Sequence, residues 1–595
     1  GQGVQREAEL AQMCRGTIRV IGPNCLGIID TYSNLNASFA QTMPYQGKIG
    51  FISQSGAMVT ALLDFAVGRD IGFSKFISMG NKMDLDETHF LEILGDDDNT
   101  KVIIGYIESV VDGKRFMEVA ERVSRKKPVI IFKSGVSAEG TRAASSHTGS
   151  LSGLDRAYDC AFRKSGVIRA RFIEDLFDWA EVFVSQPLPK GKRIAIVTNA
   201  GGPGIIATDK ASEEKLILSS LNQATVSKLR EILPPAASVY NPVDVLGDAD
   251  SRRYGQVIEL LSRTEEVDGL VIILSPQANT QIEETAKIVS SVSYTSPKTI
   301  ISSFMGEDRV ATAQSIFRRG RVANIPFPDR AVRAMSVMAH YSLWKQEKKP
   351  EAWSKEINEE KVSKFLRGNL DEGKIKLVDF EAREILDICG IATLPTVLTD
   401  TPEEAVRTAE KMGFPVVMKV YSPEILHKTD VGGVRVGLRT PDEVTKAFEA
   451  ITVNVRRNLP QVVILGITVQ KMVEGGKEVI VGFSRDPQFG ALVMFGLGGV
   501  YVEVLKDVNF ALAPLGKKEI RELVLGVRSF PLLSGVRGEK EKDLEALYEV
   551  IATISTLGEK FSEIVEMEIN PLIIKEKGQG VWAVDGRLIL KGGQA

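Results

Sequence analysis

Short runs rich in valine and isoleucine alternate with amphipathic sequence along the first half of the chain, and this alternation constrains the fold most. Residues 48–56 ("KIGFISQSG") are typical of a strand that ends in a polar turn, and helical sequence follows. Residues 101–110 and 127–135 repeat the pattern. Near-continuous Val/Ile runs indicate strands covered on both faces, so the sequence predicts a parallel sheet flanked by helices.

A second unit of the same kind follows the first. Residues 186–191 ("QPLPKG") mark a boundary, and residues 193–204 ("RIAIVTNAGGPG") restart the strand–turn–helix pattern. Residues 346–372 are charged and poor in β-forming residues, which predicts a linker. A third region of mixed α and β sequence begins at about residue 373. The 595 residues are enough for about four domains of ~150 residues each.

Composition argues against several classes of protein. The chain has 74 basic and 77 acidic residues and a net charge of −3, unlike a nucleic-acid scaffold or a polybasic membrane anchor. Its four cysteines are dispersed without a CxxC pair, which suits a reducing cytosol. No apolar run approaches the ~18 residues of a membrane span, and we expect no signal peptide. We expect a cytoplasmic protein with no nucleic-acid or membrane partner, and a chain starting at Gly1 that is a fragment or a processed product.

Both predicted parallel-sheet units contain a glycine-bearing joint between a strand and a helix. The joints are "SQSGAMV" (53–59) and "TNAGGPGIIATD" (198–209). A helix N-terminus attracts anions through its free N–H groups and its dipole, and glycine lets the backbone approach closely. Such turns often serve packing alone, so a phosphate-binding role and a structural role both stay open. The candidate phosphate contacts are Ser55, Gly56, Asn199, Gly201 and Gly202.

One of the four histidines, His147, lies in a loop of small and hydroxylated residues at 145–150. A neutral imidazole is a competent nucleophile near pH 7, so the loop predicts a group that carries a phosphoryl. Glu108, at the end of a predicted strand, could fix the tautomer through the other ring nitrogen. The alternative is that His147 only caps the following helix. His89 and His340 lie in helical sequence and are expected to be structural. Further candidate phosphate contacts in the loop are Ser146, Thr148 and Gly149.

The third region contains a candidate phosphoryl-donor site. Residues 413–434 place Lys419 on a strand and His427 in a loop with paired glycines. Near the C-terminus, Glu568, Asn570 and Asp585 lie close to predicted strand ends. Carboxylate and amide oxygens at such positions suit Mg²⁺, which prefers hard oxygen ligands. Acidic residues in a hairpin are often only solvated, so this alternative stays open as well.

Seven stretches together resemble a known family, in the order of its fused-chain form. They are "IGPNCLGI", "ISQSGAM", "SSHTGSLSG", "TNAGGPG", "NPVDVLGDA", "HKTDVGGV" and "EINPL". The chain is similar to the NDP-forming acyl-CoA synthetases, the ADP-forming acetyl-CoA synthetase group of the succinyl-CoA synthetase superfamily. The resemblance implies an α/β fold of two consecutive flavodoxin-like parallel-sheet domains and an ATP-grasp domain. The expected divisions are a Rossmann-domain remnant at 1–45, flavodoxin-like domains at 46–187 and 188–345, a linker at 346–372 and the ATP-grasp domain at 373–595.

The resemblance also implies a reaction and roles for residues. In the family, acyl-CoA and phosphate give an acyl phosphate, which phosphorylates the loop histidine, here His147. The phosphoryl group passes to a second histidine, here His427, and then to ADP, and every step is reversible. Glu108 matches the carboxylate that orients His147. The implied cofactors are Mg²⁺, ATP or ADP, and CoA, with ADP favoured over GDP on the resemblance alone. The implied nucleotide contacts are Lys419, Gln470 and Glu478, and the implied magnesium ligands are Asn570 and Asp585.

One departure from the family concerns CoA. The family begins with a CoA-binding Rossmann domain, and only its tail, residues 17–30, is found in this sequence. We therefore expect a homodimer or a complex with a chain that supplies this domain, and little acyl-CoA synthesis by this chain alone. The expected substrates are a carboxylic acid, CoA and a nucleotide.

Two other functions stay open. One is a regulatory synthetase-like module that senses acyl-CoA or nucleotide, and retention of both His147 and His427 argues against it. The other is an ATP-grasp carboxylate ligase that forms an acyl phosphate directly. Such a ligase needs no phosphohistidine, so a stable phosphoprotein would separate it from the synthetase.

Overall fold

The predicted α/β class is confirmed in the computed structural model, where the Val- and Ile-rich runs form buried strands with helices between them. The chain divides into two units, residues 1–348 and residues 349–595. His147, His427 and the loop residues 146, 148 and 149 lie outside the described residues. No helix of the described residues is long and apolar enough to cross a membrane. The structure describes residues 2–137, 155–378, 380–422, 424–425, 428–498, 507–536 and 538–592.

A seven-stranded sheet begins the first unit, in the order β2-β1-β4-β3-β5-β6-β7. Strands β3 to β7 are parallel neighbours. At one edge β1 pairs antiparallel with β4, with Ile28 opposite Ile77, and β2 pairs antiparallel with β1. Part of the predicted Rossmann remnant therefore completes this sheet. The strands are β1 (Gly27–Asp30), β2 (Leu35–Ser38), β3 (Gln46–Ser53), β4 (Phe73–Ser78), β5 (Val102–Ile107), β6 (Val129–Lys133) and β7 (Ile168–Ala170). The helices are α1 (Gln2–Cys14), α2 (Gly56–Gly68), α3 (Glu87–Asp96), α4 (Gly113–Lys126), α5 (Asp155–Ser165) and α6 (Ile173–Ser185).

A five-stranded parallel sheet follows in the same unit, in the order β10-β8-β11-β12, with β9 also paired to β8. Its strands are β8 (Arg193–Thr198), β9 (Ile217–Leu218), β10 (Val243–Asp244), β11 (Gly269–Leu274) and β12 (Thr299–Phe304). Its helices are α7 (Gly201–Glu213), α8 (Gln223–Ile232), α9 (Ser251–Arg263), α10 (Ile282–Thr295), α11 (Ala311–Gly320) and α12 (Pro328–Gln346). One apolar core contains Phe51 and Ile104 of the first sheet, Ile196 of the second, and Met335 of α12. The two sheets therefore share a core rather than forming independent bodies.

The second unit contains two antiparallel sheets. The larger has the order β13-β23-β21-β18-β19-β20, with β22 also paired to β21, and the smaller has the order β14-β17-β15-β16. The larger sheet contains β13 (Lys376–Val378), β18 (Lys477–Asp486), β19 (Gly490–Leu497), β20 (Val508–Leu512), β21 (Ile564–Ile574), β22 (Val581–Ala583) and β23 (Gly586–Leu590). The smaller sheet contains β14 (Thr396–Thr399), β15 (Val416–Tyr421), β16 (Val434–Leu438) and β17 (Gly466–Lys471). The helices are α13 (Glu359–Asp371), α14 (Phe380–Ile388), α15 (Pro402–Met412), α16 (Pro441–Asn458), α17 (Lys517–Leu525) and α18 (Leu544–Lys560).

The segment predicted as a linker, 346–372, differs from that prediction in its second half. Helix α13 occupies residues 359–371, and its side chains Val362, Phe365 and Leu366 are buried in the core of the second unit. Their spacing is that of one helical face, and the charged residues that suggested a linker cover the opposite face. This part of the segment therefore belongs to the folded second unit.

Candidate active site

The first strand-to-helix joint is held by two serines. The Ser53 hydroxyl accepts a hydrogen bond from the Ser55 backbone N–H at 3.2 Å and donates to the Ser55 carbonyl at 3.0 Å. Ser55 is the N-cap of α2, and its side chain accepts from the Met58 N–H. These bonds fix the turn while the helix N-terminus still points N–H groups outward. The joint therefore presents Gly56 at the start of a helix, as a phosphate site requires.

The second joint is built in the same way. The Thr198 hydroxyl accepts from the Ala200 N–H at 3.1 Å and donates to the Ala200 carbonyl at 2.9 Å. Helix α7 begins at Gly201, and Ala200, its N-cap, has no side-chain cap bond. Added Cβ atoms on Gly201 or Gly202 would meet nothing within 4 Å, so the space in front of this helix N-terminus is open. Both predicted joints are thus tight strand-to-helix turns with a glycine at the start of the helix.

An amide side chain in each joint ties the strand to its neighbour. Gln54 Oε1 accepts from the backbone N–H groups of Glu108 at 2.8 Å and Ser109 at 3.1 Å, just beyond β5. Asn199 does the same to Ser275, just beyond β11: its Oδ1 accepts from the Ser275 N–H at 2.8 Å and its Nδ2 donates to the Ser275 carbonyl at 2.9 Å. In this structure the Asn199 side chain is therefore used for positioning rather than presented to a ligand. Sequence reasoning missed Gln54, although it matches Asn199 in position.

Glu108 follows β5 at the carboxyl edge of the first sheet. Its side chain is 9% exposed, and its Oε2 is buried without a hydrogen-bond partner among the described residues. A buried carboxylate oxygen with no donor is costly, so native structures seldom retain one without a function. The predicted orienting carboxylate therefore has an oxygen available for a donor such as an imidazole N–H.

Lys133, which the sequence did not single out, lies at the same edge on the adjacent strand. Its backbone pairs with that of Ile107, the residue before Glu108. The lysine is 3% exposed, donates to the Ser134 carbonyl, and places Nζ 4.6 Å from the centre of the Tyr158 ring. Burial lowers the pKa of Lys133 to about 8. A buried lysine thus lies on the strand next to the candidate carboxylate, one residue away in register.

An ion pair supports the loop that follows Glu108. Lys82 Nζ lies 2.9 Å from Glu87 Oε2 and donates to the Ser109 carbonyl at 2.7 Å. Glu87 Oε1 accepts from the Val111 N–H at 2.8 Å, and the Glu87 side chain is fully buried. The sequence spacing of Lys82 and Glu87 does not predict this role, because their contacts with residues 109 and 111 form only when the chain folds.

The two histidines expected to be structural have local partners. His89 Nδ1 lies 2.7 Å from Asp86 Oδ1, in the capping box of α3. His340 Nδ1 lies 2.9 Å from the Ser336 carbonyl oxygen one turn earlier, and Nε2 lies 2.9 Å from Lys192 Nζ. These contacts fit the structural expectation.

In the second unit the predicted nucleotide residues partly converge. Lys419 Nζ lies 2.7 Å from both carboxylate oxygens of Asp585. Gln470 Nε2 donates to the Thr396 hydroxyl at 3.0 Å and to the Val584 carbonyl at 2.9 Å. These residues line one cavity between the smaller sheet and the end of the larger one. Two predicted nucleotide contacts and one predicted metal ligand therefore share a site.

Two other predicted residues have different surroundings. Glu478 is exposed on β18, opposite Ile573 of β21, and does not line this cavity. Asn570 is joined to Asp585 through its backbone, whose N–H donates to the Asp585 carbonyl at 3.1 Å. Its side-chain Nδ2 donates to Glu568 Oε1 at 3.0 Å, so the Asn570 Oδ1 atom takes no part in this hydrogen bond.

Three residues near Lys419 in this unit carry oxygen donors of the kind that Mg²⁺ prefers. Glu568 and Asp585 supply carboxylates and Asn570 supplies an amide oxygen, and Mg²⁺ in phosphoryl-transfer sites is held by one or two carboxylates plus substrate phosphates. The described residues contain no cluster of three or more His, Cys, Asp or Glu side chains placed to hold a metal.

Three family models match the chain over most of its length. Residues 46–183 match the succinyl-CoA ligase like flavodoxin domain, residues 194–347 the ligase-CoA domain, and residues 368–590 the ATP-grasp domain. These matches confirm the predicted fold class: flavodoxin-like parallel sheets followed by an ATP-grasp domain.

Relatives that match nearly the whole chain identify the family more specifically. The chain is 42% identical to the ADP-forming acetate–CoA ligase I of Archaeoglobus fulgidus over 591 residues, which is 99% of this chain and 84% of the relative. It is 38% identical to the ADP-forming 4-hydroxybutyrate–CoA ligase of Nitrosopumilus maritimus over 99% of this chain and 85% of that relative. A solved structure of dinucleotide forming acetyl-coenzyme A synthetase 1 from Ca. Korarchaeum cryptofilum, in complex with phosphate and ADP, aligns with a TM-score of 0.55 and 35% identity, and covers 57% of this chain and 74% of that one. The chain therefore belongs to the ADP-forming acetate–CoA ligase family and is an ADP-forming acid–CoA ligase.

Proposed function

We propose that the chain catalyses the family reaction with His147 as the phosphoryl carrier and His427 as the relay to the nucleotide. The observation that carries this proposal is the buried, unpartnered Oε2 of Glu108 at the carboxyl edge of the first sheet. Strand β6 lies next to β5 and precedes His147 in the sequence, and the described residues 134–137 leave β6 at the same edge of the sheet as Glu108. An N–H of the imidazole would satisfy this oxygen and fix the tautomer in which the other nitrogen attacks phosphorus.

The two strand-to-helix joints would hold the phosphoryl group. The N-termini of α2 and α7 offer backbone N–H groups and positive dipole ends, and glycine at each start permits close approach. Gly56 and Gly201 are at these starts, and Gly202 follows. Phosphoryl transfer depends on positioning and on charge stabilisation, which such N–H groups supply.

The nucleotide would bind beside Lys419 and Asp585. The cavity that these residues line has a volume of only about 20 Å³, so the Lys419–Asp585 pair would have to separate to admit a phosphate group. The Lys419 ammonium would contact phosphate oxygens. The Gln470 amide would remain bonded to the Val584 carbonyl and line the site without contacting phosphate. Mg²⁺, held by Asn570, Asp585 and Glu568, would neutralise phosphate charge when bound. Glu478 stays a proposed nucleotide contact, although it lies away from this cavity.

The substrate is proposed to be a small carboxylic acid, with CoA and ADP or ATP as co-substrates. Support comes from relatives named for acetate and for 4-hydroxybutyrate. The matched ranges support a division into domains at 46–187, 188–345 and 373–595, with α13 added to the last. A cytoplasmic location is proposed from the four free cysteines.

The test uses the half-reaction that needs no CoA. The full chain is phosphorylated with Mg-ATP, freed of nucleotide, and mixed with acetate or 4-hydroxybutyrate in the presence of hydroxylamine, which traps acyl phosphate as a hydroxamate. We expect hydroxamate that depends on the acid and matches the phosphoryl lost from the protein. His147→Asn should give none. Equal hydroxamate from His147→Asn in the presence of ATP would instead establish a direct ATP-grasp carboxylate ligase.

A further inference from the structure

A second cleft lies in the first unit, at the opposite edge of the first sheet from Glu108. It has a volume of about 930 Å³ and is lined by the amino ends of β3, β5 and β6, the end of α6, and residues of α11 and α12. Ligand sites in proteins have volumes of about 300–1,000 Å³. The cleft is therefore large enough for a nucleotide-sized molecule, and none of the residues assigned to phosphoryl transfer lines it.

The lining of this cleft is strongly basic although the chain is slightly acidic. Eight cationic and three acidic side chains line it. Two of the cations are neutralised, because Lys126 pairs with Asp96 and Arg318 pairs with Asp70. The other six have no carboxylate within 4.0 Å in the part of the chain that the structure describes, and they are Lys48, Arg69, Lys101, Lys127, Arg321 and Lys345.

Two of these unneutralised lysines are held by backbone carbonyls instead. Lys101 Nζ donates to the Val184 carbonyl at 2.6 Å, and Lys127 Nζ donates to the carbonyls of Leu94 at 3.0 Å and Asp97 at 2.6 Å. Burial lowers the pKa of Lys101, and the nearby Arg321 charge lowers it further. Lys127 also feels the charges of Asp96, Asp97 and Asp98, so the fixed positive charge is concentrated at Lys101 and Arg321, and like charges held close together favour an anion between them.

The enclosed acid in the cleft cancels little of this charge. Desolvation, reinforced by Asp178, raises the pKa of Glu181 to about 7, so this carboxyl is partly protonated near neutral pH. The floor of the cleft is apolar, with Ile71, Phe183 and Tyr341. The Tyr341 hydroxyl donates to the Ser124 carbonyl at 2.8 Å, which fixes its ring. A cationic rim above a fixed apolar floor suits a ligand with phosphates and a flat apolar group.

We propose that this cleft is a second anion site, which binds a nucleotide-sized phosphate ester apart from the phosphoryl-transfer centre. The phosphates contact Lys101, Arg321 and their cationic neighbours, and the apolar part of the ligand lies against the floor. The site is independent of the nucleotide cavity at Lys419, which belongs to the other unit of the chain.

The test is calorimetric titration of the full chain with ADP and, separately, with inorganic tripolyphosphate at fixed ionic strength. We expect two ADP sites in the wild type. Lys101→Glu with Arg321→Glu should weaken one of them at least tenfold, and Lys419→Met should weaken the other. The matched control, Lys228→Glu with Arg230→Glu, reverses two exposed cations on α8 and should keep both sites. Tighter binding of ADP than of tripolyphosphate at the cleft would show that the floor contributes.

Two results would overturn the proposal. One is a single ADP site in the wild type, and the other is a folded Lys101→Glu/Arg321→Glu protein that keeps both sites. Thermal unfolding of each variant establishes that it is folded. Should the charge reversal prevent folding, Lys48→Gln with Lys345→Gln removes two exposed rim charges without adding acids. That pair should weaken the same site by several-fold, and unchanged ADP binding would contradict the proposal equally.

Discussion

Lys419 and Asp585 are 166 residues apart in the chain, yet the lysine Nζ lies 2.7 Å from both oxygens of the Asp585 carboxylate. The pair joins β15 of the smaller sheet to the loop before β23 of the larger one. Its lysine side chain is 8% exposed and its aspartate side chain 31% exposed. In this structure the proposed metal ligand and the proposed phosphate ligand therefore neutralise each other.

Asp585→Asn should weaken Mg-ADP binding and destabilise the second unit. The amide is a poorer magnesium ligand, and the more buried partner, Lys419, loses its counter-charge. We expect the Kd for Mg-ADP to rise about tenfold or more, equal to ~1.4 kcal/mol, and the free energy of unfolding to fall by about 1–3 kcal/mol. Calorimetry and urea unfolding measure the two effects.

The control for this variant is Glu474→Gln, which removes the partner of Arg439 in an exposed ion pair of 2.9 Å in the same unit. It should leave Mg-ADP binding unchanged and alter stability by about 1 kcal/mol at most. Nucleotide binding lost equally in both variants would mean that the effect of Asp585→Asn is only structural.

Glu108→Gln should separate function from stability. The substitution keeps the shape but removes the negative charge, and the Glu108 Oε2 has no partner to lose among the described residues. We expect stability to change by about 1 kcal/mol or less and the rate of phosphoryl transfer to histidine to fall about 100-fold or more. Single-turnover labelling from ATP measures the rate. Full labelling speed would show that this carboxylate orients no reacting group.

Gly56→Val should block the phosphate site at the start of α2 while the protein still folds. A Cβ there meets only the Leu26 nitrogen, at 3.9 Å, so the space it fills is the space in front of the helix N-terminus. Gly68→Val is the matched control, because Gly68 ends the same helix and its Cβ would meet nothing within 4 Å. We expect both variants to unfold within about 1 kcal/mol of wild type and only Gly56→Val to lose phosphohistidine. Equal phosphorylation of the two would assign the joint a packing role.

Lys133 should make stability depend on pH in the alkaline range. Its pKa is about 8 in the folded protein against the ordinary 10.5, so the unfolded chain binds more protons between these values and stability rises with pH. The penalty of burying the ammonium, about 3 kcal/mol, is full below pH 8 and disappears toward pH 10.5. Lys133→Met should thus exceed wild type in stability most clearly below pH 8. The exposed Lys114→Met serves as control, and a pH-independent difference between Lys133→Met and wild type would contradict the assignment.

The strands were predictable because their signal is local. The predicted runs at 48–56, 101–110 and 193–204 correspond to β3, β5 and β8, since buried parallel strands need continuous apolar sequence. The helix α13 was missed because its buried positions are few and its exposed face is rich in charge. The helical spacing of its apolar residues, at positions 362, 365 and 366, would have predicted this helix despite the surrounding charges.

The positions of the candidate site residues were predictable only where a residue type carries its own signal. Glycine at a strand-to-helix joint and a carboxylate after a strand are local patterns, and the structure places Gly56 and Glu108 accordingly. Gln54 carries no such signal, because its role comes from two N–H groups of another strand. The same is true of Lys419 and Asp585, whose pairing depends on how two sheets meet.

The central claim is that two histidines act in series, and mapping of radiolabel in histidine variants tests it most directly. Wild type, His147→Ala and His427→Ala are each treated with labelled Mg-ATP or labelled acetyl phosphate, and the labelled peptides are identified. Phosphoryl transfer needs reacting atoms within ~3–3.5 Å, so a carrier must link the two centres. In the wild type we predict acid-labile, base-stable label on His147. His147→Ala should take up no label from acetyl phosphate. In His427→Ala, His147 should be labelled by acetyl phosphate but not by ATP. Labelling of His147 from ATP at the wild-type rate in His427→Ala would contradict the relay, and label that persists from acetyl phosphate in His147→Ala would contradict the carrier.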